Sequence, residues 1–199
     1  MRYLINFILN IPLITLILLN EANAHSITSN SSGFGSGFSH PILGLDHFLV
    51  MLGIGIWGAQ MGGRRMWSLP VSFPLIMCIG AIISISNILI FIYVEHIIAL
   101  SVIILGLFIF LKWFPNEIIA LLIISFFAIF HGYAHGNEIP KAIDPLSFIV
   151  GFVISTGLIH LVGILLGYIL NNFYDGKISR LLGIFIFISG VFLILRNYF

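Results

Sequence analysis

The sequence predicts an all-α fold, a polytopic membrane helix bundle of six transmembrane helices after an N-terminal signal peptide. Three observations carry that prediction. Of 199 residues, 60% are hydrophobic and only 8% are charged. The mean hydropathy is +1.17, beyond what a chain dissolved in water can bury. Apolar runs of about eighteen or more residues recur along the chain, each long enough to cross a hydrocarbon core roughly 30 Å thick as a helix.

The first element is an expected signal peptide over residues 1–24. Arg2 gives a short positive start, residues 4–19 form an apolar stretch interrupted by Asn6, Asn10 and Pro12, and Ala22-Asn23-Ala24 offers a small-x-small cleavage site. The polar interruptions argue against the alternative, an uncleaved signal anchor. The mature chain would begin at His25. Residues 25–39, rich in Ser, Gly and Asn and without periodicity, read as an extracytoplasmic loop. A six-helix membrane domain then fills residues 40–199, with spans expected at 42–61, 69–88, 92–111, 118–135, 146–170 and 178–195. The third and fourth spans are closely spaced and read as a hairpin.

Charge placement sets an expected orientation, because short cytoplasmic loops accumulate Lys and Arg. Arg64, Arg65, Lys112, Lys177 and Arg180 fall on one side of the expected spans, against Lys141 and Arg196 on the other. The first group marks the cytoplasm and places both mature termini outside, in the periplasm if the membrane is a bacterial inner membrane. The net charge of +1 contains no basic tract, which excludes nucleic acid as a partner. Cys78, the single cysteine, excludes an intrachain disulfide and a cysteine-based zinc site, and reads as a small buried apolar residue.

Two segments carry the chemistry. In His40-Pro41-Ile42-Leu43-Gly44-Leu45-Asp46-His47, an acid and an imidazole stand side by side in the first turns of a membrane helix. A carboxylate at membrane depth is costly unless paired, solvated or bound to a cation, so the pair is read as functional. The competing reading is a structural ion pair that fixes helix packing. In the second segment, Phe130-His131-Gly132-Tyr133-Ala134-His135-Gly136-Asn137-Glu138, a continued helix would align His131, His135 and Glu138 on one face. Two imidazoles one turn apart suit a shared metal ion.

The orientation argument brings both segments to the same membrane face. Imidazole nitrogen with carboxylate suits nickel, cobalt, zinc or copper rather than magnesium or calcium. Glu95 and His96 open span three at that face, and His160 lies about 20 Å into span five by helical rise, so all three are weaker candidates for the same path. His25 is a fourth, since cleavage before it would set a free amine beside its imidazole. The alternative function is a haem-binding membrane electron-transfer subunit with histidine axial ligands. His131 and His135 on one helix cannot ligate opposite haem faces, so His47 or His160 would have to supply the second ligand.

These residues resemble the HupE/UreJ family of hydrogenase and urease accessory proteins. The resemblance rests on the signal segment ending before a histidine, the glycine- and phenylalanine-bearing stretch 33–39, His40-Pro41-x2-Gly44-x-Asp46-His47-x-Leu49-x-Met51 with Gly55-x-Trp57, and His131-Gly132-Tyr133-Ala134-His135-Gly136-x-Glu138-x-Pro140. It covers the whole mature chain. Val50 departs from the small alanine expected between Leu49 and Met51. The resemblance implies a secondary permease that imports nickel, or in some members cobalt, for metalloenzyme assembly. It implies no enzyme activity, no permanently bound cofactor, and His40, Asp46, His47, His131, His135 and Glu138 as the metal residues.

No nucleotide-binding glycine loop and no His-Glu-x2-His signature are present in the sequence. The expected drivers are therefore the membrane potential or protons, and the expected partners are the divalent ion and the lipid bilayer. A homo-oligomer, the choice of nickel over cobalt and the enzyme supplied stay open.

Overall fold

The structure is a computed structural model that describes residues 33–87, 89–136, 144–172 and 176–198. The expected signal segment, His25 and Glu138 lie outside the described residues. Among the described residues there are seven helices and no strand: α1 (Gly33–Leu43), α2 (Leu45–Met61), α3 (Arg65–Ile85), α4 (Val94–Leu111), α5 (Glu117–Gly136), α6 (Pro145–Asn172) and α7 (Lys177–Tyr198). Helices α3 to α7 each contain a stretch long and apolar enough to cross a membrane. Helix α2, at 17 residues, falls just short by itself, and joins α1 through a 74° bend to make the sixth candidate, a broken span.

Lipid is the environment this surface requires. Leu75, Ile82, Ile118, Leu122 and Leu146 are each more than 60% exposed, a density of bare apolar side chains that water would not tolerate. Inside, Met51, Ile54, Trp57, Phe73 and Ile109 form a contiguous buried core.

Without a hydrophobic drive between helices in lipid, close backbone approach through small residues takes over. Helix α5 presses Gly132 against the Met77 carbonyl of α3, and Gly80 of α3 answers against the Ile129 carbonyl. The same device joins α2 to α6 at Gly55 and Gly163, and α4 to α7 at Gly106 and Gly183. A Cβ at any of these positions would collide with backbone atoms of the facing helix.

Two sequence expectations change. Residues 33–39, read as loop, form most of α1. Gly33 and Gly37 recur one turn apart and seat α1 on the Asp144 and Phe148 backbone of α6, while Phe34 and Phe38 stack beside them. Docking thus supplies what a glycine-rich segment lacks in helix propensity. The third and fourth spans, α4 and α5, are joined by a short turn at Lys112, whose φ of 52 is left-handed. They pack against each other as the expected hairpin, while their glycine faces point elsewhere, to α7 and α3 respectively. Cys78, expected to be buried, is instead exposed on the outer face of α3, where an apolar thiol faces lipid at little cost.

The two ends of the bundle differ. At one end Arg65 donates to the Pro115 carbonyl, Arg180 Nε donates to the Phe110 carbonyl and lies 5.0 Å from the Phe110 ring, and Trp57 Nε1 donates to the Trp113 carbonyl. Gly62 and Gly63, with φ of 67 and 60, make the tight α2–α3 turn there. The chain alternates direction, so the start of α2 and the ends of α3 and α5 gather at the opposite end.

Candidate metal centre

Pro41 and Gly44 build the first half of the site. Pro41 lacks the N–H that would continue the helical ladder, and Gly44 takes an extended conformation (φ −76, ψ 103) that redirects the chain before α2 begins. The bend turns His40 of α1 toward His47 of α2, with ring centroids 6.0 Å apart. Asp46 sits in the first turn of α2, where the positive end of the helix dipole favours an anion. Its Oδ1 accepts from the His47 backbone N–H and lies 2.8 Å from His47 Nδ1. A carboxylate only accepts, so Nδ1 carries the proton and, in the neutral imidazole, Nε2 keeps its lone pair, the arrangement that second-shell carboxylates impose on metal-binding histidines.

Helix α5 supplies the second half. His135 packs edge-on against His47, 4.3 Å between centroids, and against His40 at 4.8 Å. One donor atom from each of His40, His47 and His135 falls within 4.8 Å of the other two. His47 and His135 are buried and His40 is half-buried. Three imidazole nitrogens this close, on three helices, can hold one borderline divalent ion.

His131, one turn below His135, lies beside this trio. Its ring is 5.3 Å from that of His47, its Nδ1 donates to the Phe127 carbonyl at 2.9 Å, and its buried Nε2 has no hydrogen-bond partner. Asp46 likewise stands behind His47 rather than within the trio. Glu95 is exposed at the start of α4, within electrostatic reach of Asp46 and His47, and His96 packs edge-on against Tyr93. His160 is buried deeper in the bundle against Phe73.

Sequence reasoning missed the aromatic walls. Phe152 packs against His135 at 4.6 Å and against His40 at 6.2 Å, and Phe73 packs against His131 at 5.3 Å. Nothing distinguishes these two among 19 phenylalanines except register: Phe152 shares the buried face of α6 with Thr156, His160 and Gly163.

A bundle of apolar helices with a cluster of imidazoles sunk into one end defines a helical membrane protein with a polar intramembrane site. The family model described as HupE / UreJ protein matches residues 13–193. Protein HupE of Rhizobium leguminosarum bv. viciae is 34% identical over 152 residues, which cover 76% of this chain and 78% of that protein. The chain belongs to the HupE/UreJ family. No solved structure matches it.

Proposed function

We propose that this protein is a secondary permease that imports a divalent transition metal, nickel first and cobalt as the close second, across a bacterial inner membrane. The observation that carries the reading is the convergence of His40, His47 and His135 within 4.8 Å. The ion enters at the histidine end, sheds water onto imidazole nitrogen, and is delivered toward the end bearing Arg65 and Arg180. The positive-inside rule makes that basic end cytoplasmic and the histidine end periplasmic.

Membrane potential suffices as a driver: 100 mV is worth about 4.6 kcal/mol for a divalent ion. Asp46 and the histidines could also exchange protons for metal, since binding requires neutral imidazole. The role is transport rather than catalysis. A haem-binding subunit fits less well, because His47 and His135 pack ring against ring and leave no slot for a porphyrin between them.

The test is nickel and cobalt accumulation at low external metal in cells expressing the wild type or equally abundant Asp46→Ala and His47→Ala variants. Accumulation by the wild type and its loss in both variants supports the reading. A wild type that matches empty cells for both metals overturns it.

A further inference from the structure

Below the outer trio, the buried face of α6 carries polar groups that the trio does not use. Thr156 and His160 stand one helical turn apart, with Ser155 beside them, and all three are at most 2% exposed. The hydroxyls of Ser155 and Thr156 and the Nε2 of His160 are buried with no hydrogen-bond partner. Each unmade hydrogen bond of a buried polar group costs on the order of 1–3 kcal/mol, which makes three such groups on one face expensive as mere packing.

Their depth is well defined. Phe152, which floors the outer trio against His135, lies about 12 Å above His160 by helical rise along α6. The His160 backbone meets Gly55, in the middle of α2. The Phe73 ring bridges the two levels, 5.3 Å from His131 above and 6.0 Å from His160 below. The contacts therefore run without interruption from His47 to His131, to Phe73, to His160.

We propose that His160, with the hydroxyls of Thr156 and Ser155, forms a second and deeper binding station for the transported divalent ion, separated from the outer trio by Phe73. One imidazole and two neutral hydroxyls form a weaker ligand set than three imidazoles, so an ion held there keeps part of its water. Weak binding at the deeper level keeps an ion that has left the entry site from being trapped midway. The proposal rests on the reading that a divalent ion enters at His40, His47 and His135.

The experiment is equilibrium dialysis of the purified full chain in detergent against Co2+, with bound metal counted for wild type, His47→Ala, His160→Ala and Thr156→Val. Wild type is expected to bind two classes of ion. His160→Ala and Thr156→Val lose the weaker class and keep the tighter one, whereas His47→Ala loses the tighter one. The conservative Thr156→Val change keeps the test decisive should His160→Ala fail to fold. A His160→Ala or Thr156→Val protein with the wild-type number of ions in both classes overturns the deeper station and leaves the outer one standing; buried water would then satisfy these groups. If the wild type binds no Co2+ at all, the entry site and the proposed transport fail together.

Discussion

His47 of α2 and His135 of α5 stand 4.3 Å apart, ring against ring, and Asp46 holds His47 from behind at 2.8 Å. The contact assigns unequal roles to the adjacent acid and imidazole: His47 faces its neighbours, and Asp46 fixes its tautomer.

That division predicts graded mutational effects. Asp46→Asn keeps the shape but can also donate, so it no longer specifies which His47 nitrogen is protonated. Co2+ affinity of the purified protein should fall by about tenfold to a hundredfold. His47→Ala should lose tight binding altogether. Equal binding by Asp46→Asn and wild type would show that the carboxylate does not orient the imidazole.

The α3–α5 seam should resist any side chain. Gly132→Leu drives a side chain into the Met77 backbone and pushes α5, with His131 and His135, away from α3. Folded yield in the membrane should drop sharply. Gly157→Ala is the matched control, because nothing lies within 4 Å of a Cβ there. Size-exclusion profiles of the two variants in one detergent would separate them, and a monodisperse Gly132→Leu at wild-type yield would contradict the close packing.

Asp144 caps α6. Its carboxylate accepts from the Ser147 hydroxyl and the Ser147 backbone N–H, and Pro145 occupies the first helical position, where a missing N–H costs nothing. These bonds hold the Asp144 carboxyl below the usual carboxylate range. With the folded value depressed, the cap's contribution is complete above the ordinary Asp pKa and is lost as pH falls through the lower folded value. Asp144→Ala should therefore lower the thermal midpoint slightly at neutral pH and have no effect in strong acid. A difference that persists unchanged at low pH would point to something other than the cap.

Orientation can be read with single cysteines in a Cys78→Ser background. A maleimide that cannot cross the membrane should label Asp144→Cys in intact spheroplasts, and Lys177→Cys only after permeabilisation. The reverse pattern would place the histidine end in the cytoplasm and turn import into export.

The family resemblance stated on sequence motifs agrees with the match over residues 13–193. The helical class was also legible, because 60% hydrophobic residues in runs of membrane length leave lipid as the only solvent. Five spans were placed to within a few residues. Residues 33–39 were not legible as helix, since glycine has poor intrinsic propensity and their stability comes from docking on α6.

By itself, the sequence singled out the polar residues that lipid would not leave unexplained: His40, Asp46, His47, His131, His135 and Glu138, with His25, Glu95, His96 and His160 as weaker candidates. Only the tertiary structure decided which of them meet. Local periodicity could align His131 with His135, but the closest trio takes one imidazole from each of three helices. That selection depends on a 74° bend at Gly44 and on glycine-to-backbone seams that set the depth of each helix against its neighbour. Contacts across helices depend on packing geometry, which motif spacing within one helix does not encode.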